Sequence, residues 1–293
     1  MPFTGTIVIT QNPVTDWERY HRTLGISVDK DVIGYRNLKV EERAEGGYYR
    51  CRFRLYGPRE FLSEFLVDGL SRQVDVFHPD GRKKWEGLVY EMKLGTGTAI
   101  MRTSLDTLAN KVWVRYRITG AGATSRSTVI EDAASQGRYG IKEFVIGCGE
   151  LEAADISDQV ATQYLRLHRN PTPAPTSIKT GRKLIEEPHI EIECRGFFET
   201  LFWRVYNNTG AASNQGASVQ IADIITAVGQ FVAQSELRTN STLVSEIYDA
   251  DRKAGDIVAD IARLGDVNFN RWLVYMTDGR TFVYDRATPA EPD

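Results

Sequence analysis

The sequence contains little cysteine and histidine, and these residues are far apart. Its three cysteines are Cys51, Cys148 and Cys194, and none belongs to a Cys-x-x-Cys pair. The four histidines form no His-Glu-x-x-His motif, so the spacing of a zinc site is missing. An odd number of cysteines without a secretory signal predicts reduced thiols in a protein made in a cytoplasm. We therefore expect no metal and no cofactor.

Long apolar runs and a strong charge excess are also missing. Residues 1–5 lack a basic segment before an apolar core, which predicts no secretory signal. No apolar run approaches the ~20 residues of a membrane helix, so we expect no membrane insertion. The net charge of −3 argues against a dedicated nucleic-acid binder. At 293 residues, the length predicts two or three soluble domains.

Signatures of catalysis are missing as well. The glycine-rich segments lack the Gly-Lys-Ser/Thr ending of a phosphate loop, and no Gly-x-Ser-x-Gly motif occurs. The neighbouring carboxylates Glu41 and Glu42 fall on a predicted strand, where adjacent side chains point to opposite faces. The sequence thus predicts no catalytic residue and no enzyme. A glycosidase stays open at this point, because its two carboxylates can be remote in sequence.

The clearest positive pattern is a strand over residues 48–56. Its apolar side chains alternate with Arg50, Arg52 and Arg54, which predicts a row of arginines on one face. We place this row at a subunit contact or on a solvated face, paired with acids on adjacent strands. The acids proposed as partners are Glu41, Glu42 and Asp75. Trp17 and Tyr35 fall in predicted loops and are further candidates for an exposed subunit contact.

The stretch 74–116 organises the first part of the chain. It predicts three strands, at 74–77, 85–94 and 112–116. The segment His78-Pro79-Asp80-Gly81-Arg82 predicts a tight turn that makes the first two strands a β-hairpin. Alternation along the second strand predicts one apolar, buried face and one mixed face.

Patterning predicts three successive domains, which are a β-rich unit over 1–118, a middle region over 119–210 and a module over 211–293. Six or seven strands with short turns in the first unit favour an antiparallel barrel or sandwich, with 61–66 as either strand or helical turn. The middle region holds a linker, a helix over 153–168 and a buried strand pair over 197–206. The helix stripe is Ile156, Val160, Tyr164 and Leu167. For the last module, the pattern predicts a helix, a strand, a second helix and a β-hairpin, in that order.

Three segments, in order, resemble a known family. The first is the 74–116 stretch, with its Pro-Asp-Gly turn, Trp-x-Gly strand and Val-x-Val-Arg-Tyr strand. The second is Ser135-x-x-x-Tyr139-Gly140-x-x-Glu143, and the third is the aromatic segment 192–204. Together they resemble the baseplate-hub and tail-tip structural proteins of long-tailed bacteriophages, over roughly the whole chain.

This resemblance implies a fold and a set of partners. The fold is mainly β with α+β parts: tandem tail-tube-like antiparallel β-barrels plus a C-terminal α+β module. The chain would form a hub ring in the virion, at the distal end of the tail, as a homotrimer or alternatively a hexamer. Its partners would be itself, the tail tube, distal tail and tip or fibre proteins, with genome DNA only in transit.

Three alternatives remain at the level of the sequence. One is a hexameric distal tail or tube-completion protein. Another is a tail-associated cell-wall hydrolase, against which the missing catalytic motif counts. The third is a receptor-binding β module with exposed aromatic residues. The aromatic residues mostly alternate into apolar faces, which favours a structural role for them.

Overall fold

A computed structural model describes residues 5–27, 29, 31–95, 99–120, 123–178, 187–207, 214–245, 248 and 250–287. Strands hold 43% of the described residues and helices 25%, so the class is mainly β with α+β parts, as predicted. No closed barrel is found within these ranges.

The strands follow one another along nearly the whole described chain. They are β1 Thr6–Thr10, β2 His21–Leu24, β3 Gly34–Arg43, β4 Gly46–Tyr56, β5 Gln73–Phe77, β6 Lys83–Gly95, β7 Ala99–Ser104, β8 Lys111–Ile118, β9 Thr124–Arg126, β10 Ile130–Glu131, β11 Glu143–Leu151, β12 Ala174–Ile178, β13 His189–Arg195, β14 Val205–Tyr206, β15 Gln215–Gly216, β16 Gln234–Leu237, β17 Leu243–Val244, β18 Arg252–Lys253, β19 Trp272–Thr277 and β20 Thr281–Arg286.

Helices are fewer and lie between the strands. They are α1 Arg59–Asp68, α2 Ala133–Tyr139, α3 Ala154–His168, α4 Ala217–Val228 and α5 Ala254–Leu264, with 3₁₀ helices at Phe197–Trp203 and Asp278–Arg280. The segment 61–66, which fits either a strand or a helical turn, is therefore helical, within α1.

The chain forms two compact units, each assembled from separate stretches. Unit 1 comprises Met1–Lys39, Arg52–Arg82 and Leu88–Cys194, and unit 2 comprises Val40–Cys51, Lys83–Gly87 and Arg195–Asp293. This division differs from the predicted borders at residues 118 and 210. Parts of the predicted middle region, at 121–122, 179–186 and 208–210, lie outside the described residues.

The large sheet of unit 1 has the strand order β4-β13-β6-β5-β1-β2. The predicted turn that leads from β5 to β6 is confirmed. His78 N donates to Arg82 O at 2.8 Å, and Gly81 N donates to His78 O at 2.9 Å. Gly81 has a φ of 85°, a region that glycine adopts without strain. The Asp80 carboxylate accepts the backbone N–H of Arg82 at 3.0 Å, which closes the turn.

Burial along β6 corrects one prediction. All residues from Trp85 to Tyr90 are buried, so this half of the strand is covered on both faces. Alternation between buried and partly exposed residues begins only after Tyr90. The prediction of one apolar and one mixed face is therefore wrong for 85–90, because a central strand with cover on both sides no longer alternates.

The second sheet of unit 1 has the order β10-β8-β11, with β9 also paired to β8. Helix α3 packs on this sheet. It confirms the predicted helix over 153–168. The predicted stripe is confirmed for Val160 and Tyr164, which pack against the core, and wrong for Ile156 and Leu167, which are 36% and 72% exposed. The buried residues of α3 are Ser157, Ala161 and Leu165, one position further along. Because Ser157 and Ala161 are small, they allow a close approach to the sheet.

Unit 2 carries the strand order β16-β20-β19-β4, to which β4 contributes its residues up to Cys51, while its residues from Arg52 onward belong to unit 1. The predicted terminal hairpin is confirmed as β19 and β20, joined by Asp278–Arg280. The predicted strand pair over 197–206 is wrong, because residues Phe197–Trp203 form a 3₁₀ helix with five buried side chains. Tertiary packing of this aromatic segment therefore outweighs its β propensity.

Candidate functional site

The arginine row of β4 alternates with core residues, as the sequence predicts. Phe53 and Leu55 are at most 2% exposed, whereas Arg52 and Arg54 point outward with nearly half of each side chain exposed. These two arginines belong to unit 1. Arg50 lies in unit 2, where its guanidinium is 5.1 Å from the ring centre of Tyr49.

Each outward arginine of unit 1 meets a glutamate on the neighbouring strand β13. Arg52 Nε donates to Glu193 Oε2 at 3.0 Å. Arg54 Nη2 donates to Glu191 Oε1 at 2.9 Å. The predicted pairing with acids on an adjacent strand is confirmed for these two arginines.

For Arg52 and Arg54, the acids proposed as partners were the wrong ones. Glu42 instead accepts a bond from Lys84 Nζ at 2.7 Å. Asp75 accepts from the side-chain amide of Gln73 at 3.0 Å. The strand β3, which carries Glu41 and Glu42, also pairs with β4, but Arg52 and Arg54 bond the glutamates of β13, about 140 positions further along the chain.

An open cleft of about 720 Å³ lies over these pairs. We call it the charged cleft, and its lining is Asn37, Leu38, Lys39, Arg52, Phe53, Arg54, Glu91, Lys93, Glu191, Ile192 and Glu193. Four of these side chains are basic and three are acidic, so the cleft is close to neutral. Asn37 shapes the rim, since its φ of 58° interrupts the regular run of β3.

Glu91 is the most enclosed acid of the charged cleft, with 12% of its side chain exposed. Lys93 Nζ lies 2.6 Å from Glu91 Oε1, and Arg102 bonds the other carboxylate oxygen. Burial opposes the charge on Glu91, but the hydrogen bonds from Arg102 and Lys93 outweigh it and hold its pKa below the ordinary value. The bond to Glu91 in turn raises the pKa of Arg102.

These contacts decide what the charged cleft can do. Every carboxylate in its lining is bonded to a cation, so none is positioned as a general base towards a substrate. Every arginine in its lining is likewise bonded to a carboxylate. The cleft can therefore present alternating charges to a complementary protein surface, or pass a polyanion without gripping it.

The two aromatic candidates have different environments. Tyr35 lies in β3, is 1% exposed, and donates its hydroxyl to Gly5 O at 2.6 Å. The prediction that it is exposed in a loop is wrong. Trp17 is 40% exposed in the loop before β2, as predicted, and the guanidinium of Arg138 lies 5.0 Å from its ring centre. Its role in a subunit contact stays a prediction.

Sequence reasoning missed the acidic half of the charged cleft. The alternation Ile190-Glu191-Ile192-Glu193-Cys194 matches the alternation of β4, with acids in place of arginines. Two strands with complementary period-two charge patterns are natural neighbours in a sheet. This complementary alternation of charge was visible in the sequence, and it would have located the site.

Comparisons with family models, curated proteins and solved structures find no match to the chain. Within the described ranges, no group of three or more His, Cys, Asp or Glu side chains is arranged to hold a metal ion. The helices that the structure describes include none that is both long and apolar enough to cross a membrane.

Proposed function

We propose that this chain is a structural protein of the distal tail of a long-tailed bacteriophage, where it forms a hub ring. The motif order along the chain supports this proposal, as does its mainly β architecture. The observation that carries it is the near balance of basic and acidic side chains in the charged cleft. Its arginines are all paired with carboxylates, which suits a surface that meets other tail proteins or passing DNA.

The proposed ring also accounts for open sheet edges. In unit 1 the strand order ends at β2, and in unit 2 it ends at β16. Edge strands present unpaired backbone groups that favour pairing with another chain. We propose that each subunit supplies two tube-like β units, which close into barrels and a ring only with neighbouring subunits. Three subunits would then match a sixfold tail tube.

DNA transit requires weak contacts. Lys and Arg contacts to phosphate supply most of the non-specific affinity of a protein for duplex DNA. Because Glu191 and Glu193 neutralise the arginines of the charged cleft, we expect wild-type protein not to retain duplex DNA at physiological salt. Tight, strongly salt-dependent binding that is lost on Arg50, Arg52 and Arg54→Ser would contradict a lumen that lets DNA pass.

The assembly test is light scattering combined with electron microscopy of purified protein. A trimer mass with ring-shaped particles is expected, and antibodies should locate the protein at the tail tip of purified virions. A hexamer mass would favour the distal tail or tube-completion alternative. A monomer at high concentration, together with absence from virions, would overturn the proposal.

The gain-of-charge test uses Glu191→Gln with Glu193→Gln. This double variant frees two arginines of the charged cleft, and we expect it to bind duplex DNA in a filter assay with affinity that falls steeply as salt rises. The matched control is Glu60→Gln with Glu64→Gln, which changes the net charge equally on the exposed face of α1. Equal DNA binding by both variants would show that the charged cleft has no special role.

A further inference from the structure

The loop between α5 and β19, in unit 2, exposes an unusual amount of apolar surface. Phe269 is 97% exposed and Val267 74%. Leu264, at the end of α5, is 58% exposed. We call residues 264–271 the Phe269 loop. A nearly bare phenylalanine ring has no contact that stabilises the isolated chain, so its surroundings must explain it.

One carboxylate holds this loop in a fixed shape. Asp266 Oδ1 accepts the backbone N–H groups of Asn268 at 2.9 Å and Asn270 at 3.0 Å. Asp266 Oδ2 accepts the indole N–H of Trp272 at 3.1 Å. The backbone N–H of Phe269 donates to Asp266 O at 2.9 Å.

The fixed loop also holds strain. Phe269 has a φ of 60°, a left-handed conformation that is uncommon for an aromatic residue. Strained residues that the surroundings over-determine are concentrated at sites of recognition. Aromatic side chains are common anchors of protein interfaces, and a loop whose backbone is fixed before binding needs little further ordering.

The charge beside the loop is basic. Arg271 is exposed, and its side chain makes no ion pair with any residue that the structure describes. Arg286 donates to the side-chain oxygen of Asn270. A surface that accepts this loop should therefore combine an apolar floor with an acidic rim.

Unit 2 carries such a surface along β19. A groove of about 490 Å³ has Leu273, Tyr275 and Met276 in its lining, and most of the lining is apolar. Its rim includes the carboxylate of Asp278, the guanidinium of Arg43, and the carboxylate of Glu42, which Lys84 already bonds. The volume exceeds that of a phenylalanine side chain, and the carboxylate of Asp278 matches the basic flank of the loop. We call it the β19 groove.

The groove runs along β19 from Leu273, and the Phe269 loop precedes the same strand. The Phe269 loop ends where β19 begins at Trp272, and the groove extends to Asp278 beyond its other end. Six residues of a strand span ~20 Å. Two different surfaces that fit each other on successive copies make a head-to-tail contact, which closes into a ring when the rotation permits.

We propose that the Phe269 loop of one copy of this chain inserts into the β19 groove of a second copy. This inference rests on the proposed function, since it supplies a contact for the proposed ring. The ring of Phe269 fills the apolar floor, and Arg271 meets Asp278 at the rim.

The first test measures self-association by analytical ultracentrifugation. Phe269→Ser should raise the dissociation constant at least tenfold and leave the circular dichroism spectrum unchanged. The matched control is Leu243→Ser, which removes another exposed apolar side chain, 66% exposed, elsewhere in unit 2. It should change the dissociation constant less than twofold.

The second test is disulfide trapping in a Cys148→Ser background. Phe269→Cys and Ala44→Cys variants are mixed under mild oxidation, and a cross-linked dimer should form only in the mixture. Dimers in the Phe269→Cys sample alone would replace the groove with a loop-to-loop contact and overturn the inference.

A failure of the Phe269 contact and a failure of the homo-oligomer give different results. If wild-type protein assembles, but Phe269→Ser assembles equally well and no mixed disulfide forms, this contact is wrong and the proposed ring stands. If wild-type protein stays monomeric at every concentration, the proposed homo-oligomer fails together with the contact.

Discussion

Arg54 on β4 and Glu191 on β13 are joined across the sheet by a hydrogen bond of 2.9 Å, although 137 positions separate them in sequence. Arg52 and Glu193 repeat the relationship two residues away on each strand. The two strands therefore carry matching charge patterns, and their pairing removes a free basic row from the surface. The charge of these two arginines is therefore balanced within the chain.

We expect a small, salt-dependent coupling between Arg54 and Glu191. Both side chains are about half exposed, so a double-mutant cycle with alanine should give about 0.2–1 kcal/mol in urea unfolding. The coupling should fall between 0.1 M and 1 M NaCl, because the Debye length shrinks from about 10 Å to about 3 Å. A cycle of Arg54 with Asp155 on α3 is the control. A coupling that does not change with salt would contradict this account.

Two glycines should respond oppositely to alanine. A Cβ at Gly196 would lie 1.7 Å from the carbonyl oxygen of Tyr48, so Gly196→Ala should lower the free energy of unfolding by about 1–3 kcal/mol or more. A Cβ at Gly137, within α2, would meet open space, so Gly137→Ala should raise it by about 0.5–1 kcal/mol. Chemical denaturation measures both changes. Equal effects at the two positions would show that the close approach to Tyr48 is wrong.

The Asp266 carboxylate should make stability depend on acid pH. Desolvation raises its pKa, but hydrogen bonds from Asn270, Trp272 and Asn268 outweigh this and lower it from 3.8 to about 2. A lowered folded-state pKa contributes stability above the unfolded value, which is lost as the pH falls towards the folded value. Asp266→Asn should therefore melt below wild type at pH 7, and the difference should shrink between pH 4 and pH 2. The exposed Asp16→Asn serves as the control, and a difference that grows in acid would contradict the prediction.

The proposed structural role predicts no cell-wall hydrolysis and no metal requirement. The carboxylates of the charged cleft are bonded to cations, and Glu91 has a lowered pKa, which suits neither a general acid nor a strong base. Purified protein incubated with bacterial cell wall should release no muropeptides, and EDTA should leave the melting temperature unchanged. Muropeptide release that disappears on changing one carboxylate would overturn the structural role.

Much of the local structure could be predicted from the sequence. The turn at Asp80 and Gly81, the alternation around Arg52, the hairpin at Gly279 and the helix over 153–168 are all confirmed. Each depends on backbone preferences and side-chain periods that act within a few residues. The candidate site was only half predicted, because its arginines stand out in sequence while Glu191 and Glu193 had to be matched to them across a long separation.

The sequence by itself therefore determined the mainly β class, the positions of the tight turns and the outward row of arginines. The tertiary structure decided which acids meet those arginines, which face of α3 is buried, and that Tyr35 points inward to Gly5. It also decided that the aromatic segment from Phe197 forms a 3₁₀ helix. The physical reason is that turns and alternation depend on neighbouring residues, whereas burial and cross-strand pairing depend on which distant strands become neighbours in the sheet.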